Sequence, residues 1–203
     1  MKIICIGRNY RDHISELGNN FTESPLIFLK PDTSIIQKDQ PFYIPHFSSL
    51  IHHEVELIVK INKIGKHISK RFAYKYYQKI SLGIDFTARD LQVDLKQKGL
   101  PWEKSKGFDG SAVVGDWFDK TKFDNINCLD FQLYKNGIIT QNDNTSNMIF
   151  SIDELISEIS KFFTLKIGDI IFTGTPSGVG KVKENDFLEG FLMDKRVFKV
   201  RVK

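Results

Sequence analysis

The chain is short of several things, and each shortage closes off a class of function. Only two cysteines, Cys5 and Cys128, occur among its 203 residues. They make neither a metal-binding spacing nor a disulfide framework, which suits a reducing compartment, and a cytoplasmic protein is expected. No stretch is long and apolar enough to span a membrane. The apolar run at residues 3–6 is too brief for a signal peptide and leads into Arg8 and Arg11. Charge of one sign is not concentrated either. The net charge is only +4, and lysines such as Lys60, Lys63, Lys66, Lys195 and Lys199 are scattered. A solvated surface follows, with no nucleic-acid partner and no membrane partner expected. Internal repeats and long linkers are missing, so residues 1–203 are expected to form one domain. A phosphate loop is missing as well. Gly174 and Gly180-Lys181 are separated by five residues where four are needed, Val182 stands in place of Ser or Thr, and no helix pattern follows.

What the chain does contain is an ordinary globular balance, 41% hydrophobic and 27% charged, with 17 phenylalanines to fill a bulky core. Its most informative stretch is residues 51–61, Ile-His-His-Glu-Val-Glu-Leu-Ile-Val-Lys-Ile. The branched residues predict a β-strand, and Asn62 to Gly65 supply a turn after it. Alternation puts His52, Glu54 and Glu56 on one face and His53, Val55 and Leu57 on the other. Glu54 and Glu56 then aim like charges at one space, roughly 6–7 Å apart at Cα. That is repulsive unless a hard divalent cation sits between them, or unless the face is simply exposed to water.

Around this strand the pattern predicts a strand-rich α+β fold with a few short helices. Strands are expected at 2–6, 26–30, 81–86, 129–135, 138–141, 169–173 and 196–202, with Asn136-Gly137 as a type I′ hairpin turn. Helices are expected at 9–17, 70–80, 87–98 and 151–163. The 70–80 helix rests on Phe72, Tyr76 and Ile80 forming one apolar face, and the last helix opens with a Ser151/Glu154 capping box. His13 and Glu16 would share a helix face, as a general-base pair or as a surface contact. Residues 19–23 beside them are polar and could move as a lid. Asp85, between Ile84 and Phe86, is costly to bury unless it is paired or metal-bound. Arg89 and Gln92 face one side of a helix. Gly178 and Gly180, with Thr175, suggest a close backbone approach to a small anion or a tight turn between strands.

Five motifs stand in order along the chain. They are Gly7-Arg8-Asn9-Tyr10 with His13 and Glu16, His53-Glu54-Val55-Glu56, Gly83 to Asp90, Gly99-Leu100-Pro101-Trp102 with Lys106 to Asp109, and Thr173 to Gly180. Together they resemble the fumarylacetoacetate hydrolase family, in particular its short acylpyruvase and oxaloacetate decarboxylase members. The resemblance implies a mixed β-sandwich or rolled-barrel fold, a homodimer, a Mg²⁺ or Mn²⁺ ion and a small 2-oxo acid substrate. It assigns Glu54, Glu56 and Asp85 as metal ligands, and His13 and Glu16 as the pair that activates water. Lys106 would stabilise developing negative charge, and Arg89, Gln92 and Thr175 would bind substrate. The expected activity is C–C hydrolysis of acylpyruvates, with oxaloacetate decarboxylation beside it. The same centre would also serve an isomerase, tautomerase or hydratase of unsaturated 2-oxo dioic acids. A third expectation, from another class, is a non-catalytic 2-oxo acid binder, which the intact set of Glu54, Glu56, Asp85 and Lys106 argues against.

Overall fold

The computed structural model describes residues 1–18 and 20–203. The first half of the chain runs β1 (Ile3–Gly7), α1 (Arg11–Glu16), β2 (Leu26–Lys30), β3 (Ile51–His53), β4 (Val55–Ile61), α2 (Lys70–Ala73) and β5 (Tyr77–Asp85). Next come β6 (Thr87–Ala88), α3 (Arg89–Gln97), α4 (Glu103–Lys106), β7 (Ala112–Val114) and β8 (Phe118–Asp119). The remainder is β9 (Asp130–Lys135), β10 (Ile138–Asn144), α5 (Ile152–Phe162), β11 (Ile170–Phe172), β12 (Gly180–Lys181), β13 (Phe187–Leu192) and β14 (Lys195–Arg201).

The larger sheet has the order β2-β1-β11-β4-β5-β7, with β8 also on β5, and only the β1–β11 pairing is parallel. A second sheet, β10-β9-β13-β14, is antiparallel throughout. A small three-stranded sheet, β12-β3-β6, joins them at the site. This is the strand-rich, curled mixed-sheet architecture expected. β4 reads as a nearly continuous apolar run because both of its faces are covered. Leu57 and Val59 pack with Leu82, Phe131, Leu133 and Leu188 between the sheets. Ile58, on the other face, packs with Ile3, Cys5, Ile170 and Phe172. Helix α5 buries Ile152, Leu155, Ile156 and Ile159, and its capping box is present. That box stabilises the helix start by about 1 kcal/mol. The Asn136-Gly137 turn has both residues at positive φ, 54° and 80°, as a type I′ hairpin requires.

Two elements differ from expectation. The helix expected at 70–80 is one turn, α2, and from Tyr77 the chain is β5. The spacing of Phe72, Tyr76 and Ile80 did not mark a face: Phe72 is 42% exposed while Ile80 is buried in β5. Long-range pairing with β4 along residues 77–84 outweighed local periodicity. The expected strand 51–61 is broken at Glu54, so β3 pairs with β6 and β12 while β4 joins the larger sheet. The smaller differences are at ends. α1 starts at Arg11 because Tyr10 bridges to Met148, and α3 starts at Arg89 because Thr87 and Ala88 pair with β3. Of the expected lid segment 19–23, Asn19 lies outside the described residues; residues 20–25 carry no helix or strand.

Candidate active site

The strand break at Glu54 is where the site begins. Glu56 is the second residue of β4, and Asp85 ends β5, which is paired to it. The Asp85 N–H donates to the Glu54 carbonyl at 2.8 Å, which draws the three residues together. One oxygen from each carboxylate lies within 4.8 Å of the others, and exposure is 4%, 1% and 0% for Glu54, Glu56 and Asp85. The alternation argument for Glu54 and Glu56 holds. His53, on the other face, points away from them to Gln141.

Three buried carboxylates this close need cations among them. Lys106, delivered by the one-turn helix α4, places Nζ 2.7 Å from Glu54 Oε2, 2.8 Å from Asp85 Oδ2 and 2.7 Å from Thr87 Oγ1. Burial would lower its pKa, but Asp85 and Glu54 outweigh burial and hold it above the ordinary value, as an ammonium. Lys30, at the end of β2, is the second cation, and the sequence reading missed it. It is 2% exposed, and its Nζ lies 2.7 Å from Asp85 Oδ1, a charge contact outside good hydrogen-bond geometry. The same ammonium donates to Ser111 Oγ at 2.9 Å and to the carbonyl of Lys106. Arg89 is the third. Its Nη2 donates to Glu54 Oε1, its Nη1 to Gln92 Oε1 at 2.6 Å, and its Nε to His52 Nδ1 at 3.4 Å.

The carboxylates do not share these cations evenly. Burial pushes Glu54 up, but Lys106 and Arg89 more than reverse it, and its pKa falls below the ordinary value. Glu56 goes the other way: burial first, then Asp85 and Glu54, raise it well above the usual carboxylate range. A buried oxygen ligand set, with one carboxylate crowded by like charge, fits a hard divalent ion such as Mg²⁺ or Mn²⁺.

The glycine loop after β11 binds the chain's own anions. The Gly174 N–H donates to Glu56 Oε2 at 2.6 Å and the Gly178 N–H to Glu16 Oε1 at 3.0 Å. Gly178 has φ +92°, and a Cβ there would meet the Thr140 carbonyl at 2.2 Å, so only glycine fits. Gln141, which sequence reasoning also missed, is 1% exposed and uses every hydrogen-bonding position it has. Its Oε1 accepts from Val55 N–H and His53 Nδ1; its Nε2 donates to Thr175 Oγ1 and the Pro176 carbonyl. The Thr175 hydroxyl in turn donates to the Val55 carbonyl at 2.8 Å. Its single hydrogen is therefore committed to protein.

Helix α1 supplies the last pair. His13 Nδ1 and Glu16 Oε2 are 3.1 Å apart, the helix-face contact expected from their spacing. His13 is buried and Glu16 partly exposed. A carboxylate only accepts, so Nδ1 carries the hydrogen and Nε2 the lone pair. Burial lowers the His13 pKa despite the opposing charge of Glu54, so the ring is neutral near pH 7. His13, Glu54, Glu56, Arg89, Gln92, Lys106 and Thr175 all line one cavity of about 100 Å³. Of the expected site residues, Asp85 lies beneath its floor and Glu16 behind His13.

A curled mixed sheet with carboxylates and lysines buried at the end of its central strands defines a class of enzyme domain. The chain belongs to the fumarylacetoacetate hydrolase family: the family model described as fumarylacetoacetate (FAA) hydrolase C-terminal matches residues 2–201. It is 43% identical over 187 residues to the mitochondrial oxaloacetate tautomerase of Mus musculus, covering 92% of this chain and 85% of that protein. It is also 43% identical over 189 residues to the mitochondrial oxaloacetate decarboxylase of Dictyostelium discoideum, covering 93% and 87%. Among solved structures, fumarylpyruvate hydrolase from Pseudomonas aeruginosa, in complex with Mn²⁺ and pyruvate, superposes with a TM-score of 0.93 at 32% identity, covering 100% of this chain and 89% of that one.

Proposed function

We propose that this protein is a metal-dependent enzyme that interconverts the enol and keto forms of a small 2-oxo acid of the oxaloacetate type. The observation that carries the reading is one small cavity lined by a neutral base, His13 backed by Glu16, and by a fixed positive charge, the ammonium of Lys106. A cavity of about 100 Å³ admits only a few carbons. Similarity to the oxaloacetate tautomerase supports the reading.

Glu54, Glu56 and Asp85 would hold Mg²⁺ or Mn²⁺, and the P. aeruginosa relative with Mn²⁺ supports that. When bound, the ion supplies Lewis-acid polarisation of a 2-oxo group. Arg89 and Gln92, locked to each other, orient the acid in the cavity. Lys106, its three hydrogens held by Glu54, Asp85 and Thr87, lends its charge where negative charge builds on the 2-oxo oxygen. His13 Nε2 takes the proton from the neighbouring carbon and returns it. Thr175 would contribute its main-chain N–H to the acid's carboxylate, because its hydroxyl is committed to Val55 and Gln141.

A second reading is C–C hydrolysis of an acylpyruvate, which the His13–Glu16 pair also favours because it could activate water. The discriminating assay supplies Mg²⁺, then excess EDTA, and follows enol–keto equilibration of oxaloacetate, CO₂ release from it, and acetate release from acetylpyruvate. Metal-dependent equilibration that outruns CO₂ release supports the tautomerase; acetate release in its place moves the assignment to the hydrolase. Silence on all three would sink both and leave a 2-oxo acid binder.

A further inference from the structure

Strand β4 is paired by strands along only part of its length. On one edge it follows β5 from Val55 to Ile61. On the other edge β11 covers Ile58 to Lys60, and the Thr173 N–H donates to the Leu57 carbonyl at 3.1 Å. The chain then turns away at Gly174, φ 100°, into the glycine loop. Val55, two residues before Leu57, aims its own N–H and C=O at the same edge, past the end of β11.

Two side chains stand in for a strand there. The Val55 N–H donates to Gln141 Oε1 at 3.0 Å, and the Val55 carbonyl accepts from the Thr175 hydroxyl at 2.8 Å. Gln141 Nε2 donates to Thr175 Oγ1 at 2.8 Å, which closes a ring of hydrogen bonds. The Val55 groups belong to the two peptide units that separate Glu54 from Glu56. The ring therefore ties the main chain between those carboxylates to Thr175.

Gln141 comes from the other sheet, and a bulge delivers it. The β9–β10 register shifts between Ile139 and Gln141, and such an extra residue re-aims the side chain that follows. Gln141 turns inward, and its Nε2 also holds the Pro176 carbonyl at 3.0 Å. It stands behind the cavity that Glu54, Glu56 and Thr175 line.

We propose that Gln141 is a positioning residue for substrate: its ring with Val55 and Thr175 sets the spacing between the Thr175 main chain and the Glu54–Glu56 backbone, and with it the affinity for a 2-oxo acid. This rests on the reading that Thr175 faces the acid's carboxylate. His13 and Lys106 lie outside the ring, so binding depends on it and the chemical step does not.

The test uses Mn²⁺-loaded protein and reads the Kd for pyruvate by equilibrium titration and the steady-state constants for oxaloacetate. In Gln141→Met both the pyruvate Kd and the oxaloacetate KM should rise about tenfold, with kcat within about threefold. Thr175→Val keeps its main-chain N–H but breaks the ring, and should weaken binding to the same extent. Thr175→Ser, which keeps the hydroxyl, should recover most of that loss. Because the ring acts as a unit, the double variant Gln141→Met/Thr175→Val should bind pyruvate within about twofold of either single variant. Val200→Ala, a core change in β14 of the same sheet, should lower unfolding stability and leave both binding constants within about twofold. An unchanged pyruvate Kd in Gln141→Met, losses that multiply in the double variant, or an equal loss in Val200→Ala would overturn the assignment. If Gln141→Met does not fold, Thr175→Val against Thr175→Ser decides. A wild-type protein that binds pyruvate but leaves oxaloacetate untouched sinks the tautomerase reading alone, and the pyruvate constants still decide the role of Gln141.

Discussion

The floor of the cavity and helix α1 beside it are built to opposite standards. On the floor each charge is held from several directions: Asp85 by Lys30 and Lys106, Glu54 by Lys106 and Arg89, Glu56 by Gly174. Those partners come from β2, α4, α3 and the loop after β11, so no single element can move without breaking a charge contact. Helix α1 is six residues long and has no side-chain N-cap bond. The side-chain tie from this helix to the glycine loop is the partly exposed bond from Gly178 to Glu16. The floor is fixed at the cost of burying charge, whereas α1 meets the glycine loop through a bond that buries little charge.

Breaking the floor should be most damaging to activity. Asp85→Asn removes a proposed metal ligand and leaves two buried ammoniums facing a neutral amide. Turnover should fall by about 1000-fold or more, with loss of Mn²⁺ binding in a titration. Lys30→Met tests the floor from behind, where no substrate reaches. It should cost about 3–5 kcal/mol in denaturant unfolding, because Asp85 loses one of its two cations in a dry site. Stability within 1 kcal/mol of wild type, by the same scale, would show that the floor is less tightly determined than its contacts suggest.

Acid should weaken the wall behind the floor before carboxylate chemistry explains it. Burial lowers the pKa of His53 to about 4 from an ordinary 6.5, against its hydrogen bond to Gln141. The folded state therefore binds this proton less well than the unfolded chain. The stability it contributes is complete above pH 6.5, drains away as pH falls, and is gone below about 4. Up to about 3 kcal/mol is at stake, and His53→Gln should flatten that part of a stability–pH curve.

Helix α1 should show the reverse pattern, with activity lost and stability kept. His13→Gln should lower turnover by about 100-fold while shifting unfolding by less than about 1 kcal/mol. Because the His13 pKa is lowered, the base is already neutral at pH 6.5 and the acid limb of kcat/KM should fall below that value. Glu16→Gln is the mildest change. It removes the charge and keeps only one of the two oxygens that accept from His13 and Gly178, so a fall of several-fold is expected.

Much of the floor could be read before any coordinates. Alternation along 51–61 placed Glu54 and Glu56 on one face, and the awkwardness of Asp85 between two apolar residues pointed to a partner. Helix spacing brought out His13 with Glu16 and Arg89 with Gln92. Lys30 was not legible, because a lysine that ends a strand before Pro31 looks like a surface residue, and only tertiary packing buries it. Gln141 was hidden for a different reason. It sits at a register shift in the β9–β10 pair, where the extra residue breaks the alternation that reveals inward-facing positions. Residues 70–80 misled because three aromatic and aliphatic side chains happened to fall at helical spacing in a segment that becomes a central strand.

The parallel pairing of β1 with β11 joins Ile3 to Ile170, and the Lys2 N–H donates to Asp169 across a separation of 167 residues. During synthesis β1 and α1 emerge long before that strand neighbour. Until then β1 can pair with β2 alone, leaving its other edge open. Closing so long a loop places the fold among the slowly forming topologies. It also exposes that open apolar edge to other nascent chains. His13 and Glu16 on α1 are thus translated well before β11 and the glycine loop that hold them, so a fragment lacking those elements would lack part of the proposed site.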